Sequence, residues 1–289
     1  MGQFKVIVDI QSDGGRALDR RLRPVAVAAV LSNPYAGGWS EDLSELSNEG
    51  GTPDSVTTQG ATGRPEDELR SRGRDPVPAR LDDVSLRAAA DSLSAADPEL
   101  GSVIDRAGYP PLWAREPGFP TLVHLILEQQ VSLASARAAF ERLQAAARPL
   151  SPEGLLELDD GQLLAIGFSR QKARYARALA AAVSDGTLDL PALAALDDEA
   201  VDAALTVIPG IGPWTATIYR LMVLLRPDAW PVHDMALAQS ISELYGLSAR
   251  PGAGEMLELA ESWRPWRAVA ARILWHHYLS TDRARRVAS

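Results

Sequence analysis

The chain has 289 residues, of which 46% are hydrophobic, and its formal net charge at pH 7 is −9. This length is enough for one sizeable core or two small ones, and the acidic balance counts against a protein that coats DNA nonspecifically, although it permits local recognition of DNA. Because the chain contains no cysteine, disulfides, thiolate zinc sites, cysteine-ligated iron–sulfur clusters and cysteine nucleophiles are excluded.

The sequence carries no signal for a membrane or for secretion. It has no run of 18 apolar residues, and its N-terminus lacks the basic-then-apolar pattern of a secretory signal. No pair of its four histidines has HExxH spacing, so a catalytic zinc is not expected. These features predict a cytoplasmic protein without a membrane partner.

The first 80 residues read differently from the rest. Residues 1–47 hold one apolar strand-like run, Lys5–Ile10, and one short apolar segment, Val25–Leu31. Because one strand and one short helix cannot bury a core, we interpret 1–47 as a short α/β-like leader fragment of unknown role. Residues 48–80 are rich in Gly, Ser, Thr, Pro and charge and lack periodicity, which predicts a disordered linker.

Residues 81–289 show helical patterns without strand alternation, which predicts an all-α domain. Pro120 suits the first turn of one helix, and Ser132 suits the N-cap of another that runs to about Ala147. Tyr109–Trp113 reads as a connection held by two prolines. Further helices are predicted over residues 85–93, 98–107, 151–158, 160–166, 169–184, 191–195 and 198–207.

The most informative segment is Leu205–Ile218, with the sequence LTVIPGIGPWTATI. Gly210 and Gly212 permit positive φ, so the chain can reverse within four residues, and Pro213 suits the first position of a new helix. This predicts two helices joined by a tight glycine hairpin. The free N–H groups of the second helix then form an anion site that suits a DNA phosphate. An ordinary helix–helix corner with a glycine C-cap fits the same residues.

Asp234 stands where another helix begins, shortly after Pro231. As an isolated residue it reads as an N-cap. The same position also suits catalysis, because the helix dipole favours an ionised carboxylate, and such a carboxylate stabilises a sugar cation that forms nearby.

Five motifs in this order resemble the helix-hairpin-helix/Gly-Pro-Asp superfamily of DNA repair glycosylases, and within it the DNA-3-methyladenine glycosylase II group. The resemblance covers roughly residues 82–285 and implies a fold of two helical subdomains flanking a cleft. In chain order, the motifs are Ile126–Ser132, Gly167–Lys172, Leu205–Thr217, Pro231–Asp234, and Trp263–Arg267 followed by Leu274–Trp275.

The resemblance implies a role for two polar side chains. Asp234 matches the catalytic aspartate, which stabilises positive charge on the deoxyribose as the N-glycosidic bond breaks. Gln130 matches the residue that is inserted into the duplex where the target nucleotide leaves the base stack. A surface glutamine at a helix end is the alternative interpretation of Gln130.

The resemblance also assigns the hairpin to DNA binding. Gly210 and Gly212 match the hairpin glycines whose backbone amides hold phosphate, and Ile211 between them is a further candidate for DNA binding. The backbone carbonyls of Thr206, Ile208 and Gly210 match positions that ligate a monovalent cation, Na⁺ or K⁺, which bridges to DNA. No other cofactor is expected, and no iron–sulfur cluster.

Trp214 indicates the subclass, since members that also cleave the strand carry a nucleophilic lysine at that position. Without this amine a Schiff base cannot form, and Lys172, the only lysine of the domain, lies in another motif. The indoles of Trp214 and Trp275 are candidates for stacking on a cationic alkylated purine, with core packing as the alternative for both. One departure is Ile218, with Tyr219 beside it, where some alkylpurine enzymes have a tyrosine.

The sequence therefore predicts a monomeric, monofunctional DNA glycosylase that acts on double-stranded DNA containing alkylated purines. Two alternatives stay open: a non-catalytic helix-hairpin-helix module that only binds DNA, and a glycosylase for another damaged base. Residues 23–46 weakly resemble the start of a bacterial family associated with amino-acid synthesis, which implies no activity here. We expect the leader to be dispensable for catalysis.

Overall fold

The computed structural model describes residues 77–281, so the predicted leader 1–47 and nearly all of the predicted linker 48–80 lie outside the described residues. Within 77–281 the chain forms α-helices, one 3₁₀ helix (η1) and no β-strand, which confirms the all-α prediction for this part. The elements are α1 (Asp83–Ala96), α2 (Pro98–Ala107), α3 (Phe119–Glu128), α4 (Leu133–Ala146), α5 (Pro152–Leu156), α6 (Asp160–Ile166), α7 (Arg170–Ser184), η1 (Pro191–Ala195), α8 (Asp198–Thr206), α9 (Pro213–Met222), α10 (Met235–Leu244), α11 (Ala253–Glu261) and α12 (Arg267–Ser280).

Local sequence sets most helix boundaries. Ser132 caps α4 as predicted, since its hydroxyl accepts a hydrogen bond from the Ser135 amide. The helix predicted over 85–93 is longer, because a capping box between Asp82 and Ser85 starts it at Asp83. The segment predicted as a helix over 191–195 is a 3₁₀ helix.

The helices form two packed groups, and one of these groups combines helices from both ends of the described chain. The helices α1 and α2 pack against α12, which also packs against α10, so the beginning and the end of the described chain share one group. The middle helices α3 to α7 pack on one another as the second group. The pair α8 and α9 adjoins the second group through the contact of α9 with α3. This arrangement agrees with the predicted two helical subdomains.

Arg272 of α12 is fully buried and ties separate parts of the chain together. Its guanidinium donates to the carbonyl oxygens of Leu112 (2.9 Å), Leu221 (2.7 Å) and Ala268 (2.9 Å). Burial lowers the pKa of this guanidinium, which nevertheless stays charged at neutral pH. The contact with Leu221 anchors the C-terminal end of α9, the helix that begins at the glycine hairpin. Over residues 77–281, none of the helices combines the length and apolar character needed to cross a bilayer.

Candidate active site

The glycine hairpin connects α8, which ends at Thr206, to α9, which begins at Pro213 as predicted. Gly210 has a φ of 90° and therefore uses the left-handed region that favours glycine. Gly212 does not: it is the N-cap of α9 and has an extended backbone with φ −90° and ψ 176°. The chain reversal thus depends on Gly210, because an N-cap residue is extended whatever its type.

The two glycines also differ in what surrounds them. A Cβ at Gly210 would lie 2.1 Å from the ring of Tyr175, so the missing side chain allows α7 to pack directly against the hairpin. A Cβ at Gly212 would meet no described atom within 4 Å. The packing of the protein therefore explains Gly210, whereas the space on the Cβ side of Gly212 is open to an external group.

Two of the three carbonyls predicted to ligate a cation, those of Ile208 and Gly210, have partners within the protein. The Ile208 oxygen accepts from the Ile211 amide (3.0 Å), and the Gly210 oxygen accepts from Gln129 Nε2 (2.8 Å). A carbonyl oxygen has two lone pairs, so each of these groups keeps capacity for one further partner. A cation at the hairpin would share both oxygens with these hydrogen bonds.

Asp234 is only 3% exposed and is the N-cap of α10. Its Oδ1 accepts from the amides of Ala236 and Leu237, both at 3.0 Å, and from Trp275 Nε1 at 3.2 Å. Its Oδ2 accepts from Trp214 Nε1 at 3.3 Å. The capping interpretation of Asp234 is thus correct, and the structure also brings both predicted tryptophans to the same carboxylate.

Two opposing influences act on the Asp234 carboxyl. Burial raises its pKa, whereas the hydrogen bonds from Leu237, Trp275, Trp214 and Ala236 lower it, and burial outweighs them. The expectation that the helix N-terminus alone favours the ionised form was therefore incomplete. The two indole N–H groups are the additional donors that stabilise the negative charge.

The indoles of Trp214 and Trp275 are mostly covered, with exposed fractions of 8% and 2%. Trp275 also packs edge-on against Trp113, with ring centroids 6.5 Å apart. Trp113 is partly exposed and has a φ of 48°, which is unusual for a residue other than glycine. We did not single out Trp113 from the sequence, although it follows the two prolines of the predicted connection.

Gln130 lies in the turn between α3 and α4, and its side chain is exposed. Its φ of 57° places this non-glycine residue in the left-handed region, a local cost that the surrounding structure must offset. The structure thus places Gln130 on the surface, as both interpretations of this residue require, and adds a constrained backbone that a plain surface glutamine would not need.

The remaining candidates lie apart from the carboxylate. Lys172 Nζ donates to the Leu127 carbonyl oxygen at 2.7 Å, so this lysine caps the C-terminal end of α3. Burial lowers its pKa. Ile218 and Tyr219 are both buried within α9.

Comparison with known proteins gives matches in two regions. The HhH-GPD superfamily of base excision DNA repair proteins matches residues 123–265. A family described as amino acid synthesis matches residues 3–62, which includes part of the predicted linker.

Named relatives agree with the first match. A putative DNA-3-methyladenine glycosylase of Bacillus subtilis is 29% identical over 184 residues, which cover 61% of this chain and 64% of the relative. A probable bifunctional transcriptional activator/DNA repair enzyme of Mycobacterium tuberculosis is 34% identical over 206 residues, 67% of this chain and 40% of the relative. The chain thus spans less than two thirds of the length of these two relatives.

Solved structures resemble the described helices. The 3-methyladenine DNA glycosylase of Schizosaccharomyces pombe in complex with abasic DNA superposes with a TM-score of 0.62 at 27% identity, covering 65% of this chain and 95% of that chain. A DNA-3-methyladenine glycosidase of Bacillus halodurans gives a TM-score of 0.57 at 30% identity, covering 66% and 89%.

Proposed function

Because the chain belongs to the HhH-GPD superfamily of base excision DNA repair proteins, we propose that it is a monofunctional DNA glycosylase for alkylated purines of the 3-methyladenine and 7-methylguanine type. The observation that carries the proposal is the buried Asp234 carboxylate, which two indole N–H groups and a helix N-terminus hold in place. The helix cap alone needs only the amide donors, and the two indole donors are what favour a catalytic role for this carboxylate over a cap in a protein that only binds DNA.

The proposed reaction is hydrolysis of the bond between the base and deoxyribose C1′. An alkylated purine is cationic beforehand, so it takes the bonding electron pair and leaves as a neutral base. Positive charge develops on the sugar, where the Asp234 carboxylate stabilises it. Water then adds to C1′ and releases one proton to the solvent, which leaves the hydroxyl of the abasic product. Little acid catalysis is needed because the leaving group is already activated.

The proposed enzyme does not cleave the DNA strand. Strand cleavage by β-elimination needs an amine that attacks the sugar, and Trp214 stands at the position where such an amine would lie. Lys172 does not replace it, since its Nζ is bound to the Leu127 carbonyl oxygen. The abasic site should therefore survive until alkali or another enzyme breaks the strand.

DNA binding is assigned to the hairpin and to the turn after α3. The amides at Gly210 and Gly212 would hold a phosphate, while the Ile211 amide between them donates within the hairpin to the Ile208 carbonyl oxygen. Gln130 would fill the gap left by the flipped nucleotide. A Na⁺ or K⁺ ion would bind the carbonyls of Thr206, Ile208 and Gly210 and bridge to the same phosphate.

The test compares wild type with Asp234→Asn on methylated duplex DNA. We expect wild type to release 3-methyladenine or 7-methylguanine and to leave strands that break only after alkali. The isosteric variant should release at least about 10²-fold less, because it lacks the negative charge that stabilises the sugar cation. If wild type binds the DNA but releases no base, a binding module or another lesion is favoured instead.

A further inference from the structure

The last turn of α3 is attached to three other segments of the chain. Three consecutive residues, Leu127 to Gln129, each form a contact with a different segment, and Gln130 follows them directly. The contacts are Lys172 Nζ to the Leu127 carbonyl oxygen at 2.7 Å, the Arg115 guanidinium to both oxygens of Glu128 at 3.0 Å, and Gln129 Nε2 to the Gly210 carbonyl oxygen at 2.8 Å and to Thr215 Oγ1 at 3.2 Å.

Gln129 is the member of this set that reaches the glycine hairpin. Its partners lie on both sides of the turn, since Gly210 precedes α9 and Thr215 belongs to the first turn of α9. They are 81 and 86 residues away in sequence, so the bonds join parts of the chain that no local structure connects. One side chain amide thus links the turn after α3 to the phosphate-binding hairpin.

The backbone around Gln130 agrees with such a link. Gln129 is extended (φ −61°, ψ 126°) and Gln130 is left-handed with a φ of 57°. A left-handed conformation in a residue with a Cβ persists only where its neighbours determine it. The surroundings of Gln130 therefore hold this backbone conformation, and the contacts of Leu127, Glu128 and Gln129 are the attachments that directly precede it.

We propose that Gln129 is a positioning residue, whose hydrogen bond to the Gly210 carbonyl sets the distance between the inserted Gln130 and the hairpin that grips the DNA phosphate. This inference rests on the proposed function. Both elements act on one duplex. An error of about 1 Å in their spacing would displace the Gln130 side chain from the gap that it fills, and would lower the rate of its insertion on the order of 10²-fold.

The experiment measures how fast the Gln130 side chain inserts into the duplex, in the absence of catalysis. The full-length protein is mixed with duplex DNA that carries a tetrahydrofuran abasic analogue, which it cannot hydrolyse, beside a fluorescent 2-aminopurine. The variants are Gln129→Ala, Gln129→Glu, Gln130→Ala and the double alanine variant. The matched control is Gln144→Ala, on an exposed position of α4.

We expect wild type and Gln144→Ala to give the same insertion rate, and Gln129→Ala and Gln129→Glu to insert roughly 10- to 100-fold more slowly. Gln129→Glu is informative because it keeps the shape and can accept from the Thr215 hydroxyl, yet an ionised carboxylate cannot donate to the Gly210 carbonyl. In the double variant, loss of Gln129 should add little to loss of Gln130, since the first residue acts through the second.

Three results would overturn the inference. The first is an insertion rate of Gln129→Glu equal to that of wild type, and the second is a double alanine variant whose rate falls by the product of the two single effects. The third is the absence of an insertion signal from wild type. Base release from methylated DNA is scored separately. If wild type shows the predicted insertion pattern but releases no base, the glycosylase proposal fails and the role of Gln129 stands.

Discussion

Asp234 combines two features that oppose each other. Burial disfavours its charged form, while the first turn of α10 and the indoles of Trp214 and Trp275 favour it. If the carboxylate must be ionised to stabilise a sugar cation, activity falls as the pH drops through the pKa of Asp234. Because burial raises that pKa, the loss should begin at a higher pH than for an ordinary aspartate.

Trp275→Phe tests this balance. The substitution removes one of the three donors to Asp234 Oδ1, so the ionised form loses a hydrogen bond and the pKa of Asp234 rises further. A hydrogen bond to a charged group is worth about 1.5 kcal/mol or more, so the acidic limb of kcat/KM should move up by about one pH unit. The measurement is the pH dependence of base release.

Trp263→Phe is the matched control for this prediction. Trp263 is also buried, and its Nε1 donates to the Asp97 carboxylate at 2.9 Å, far along the chain from Asp234. This variant should lose stability through a similar change of an indole–carboxylate pair but keep the acidic limb of the wild type. An unshifted limb in Trp275→Phe would show that this indole does not control the ionisation of Asp234.

Between helices, the hairpin uses its two glycines for different purposes. Gly210 turns the chain and lets the Tyr175 ring of α7 approach, whereas Gly212 is extended and faces open space. Gly210 is thus required for folding, whereas the absence of a side chain at Gly212 leaves room for a group that approaches the start of α9.

Substitution by alanine should separate the two roles. Gly210→Ala forces a Cβ into the left-handed region and onto the Tyr175 ring, so we expect a loss of at least about 2 kcal/mol of stability. Gly212→Ala should keep the melting temperature within about 2 °C of wild type but weaken binding to duplex DNA, because the added methyl group lies where a phosphate approaches. Thermal melting measures the stability of the two variants, and a binding titration at fixed salt measures their affinity for duplex DNA.

The opposite result for Gly212 would be informative. If Gly212→Ala binds DNA as tightly as wild type, the phosphate does not approach this side of the hairpin, and the assignment of its amides to DNA is wrong.

At the scale of the whole molecule, the first two described helices pack in one group with the last one. The helices α1 and α2 pack on α12, and the Leu81 amide just before α1 donates to the Leu225 carbonyl oxygen at 2.8 Å. The Leu81 side chain is buried and Asp82 caps α1. Leu81 and Asp82 thus belong to the packed helices, and the start of the helical domain at residue 81 stays a prediction from composition.

Two truncations test the independence of this unit. A chain that starts at residue 77 should fold and release alkylated bases at the wild-type rate. A chain that starts at residue 84 loses the buried Leu81 and the Asp82 cap, and should be less stable by about 3 kcal/mol. Denaturant unfolding measures the stability of the two truncated chains, and base release measures their activity. An inactive or unfolded chain 77–289 would show that the preceding residues are needed.

Much of the fold and of the site follows from local patterns. Ser132 and Pro213 start their helices because a hydroxyl cap and a ring without an N–H suit a first turn in any fold. Asp234 was identified by its position and by the order of the surrounding motifs. Trp113 was missed, because its contact with Trp275 joins residues far apart in the chain and leaves no periodic trace.

Short-range chemistry was sufficient for the helical class, the glycine hairpin and the catalytic candidate, since caps, turns and motif order depend on neighbouring residues. Long-range packing was needed to bring Trp214 and Trp275 to one carboxylate, to join Gln129 to Gly210, and to assign different roles to the two hairpin glycines. These relations depend on distances between helices, and such distances arise only when the whole chain buries its apolar faces together.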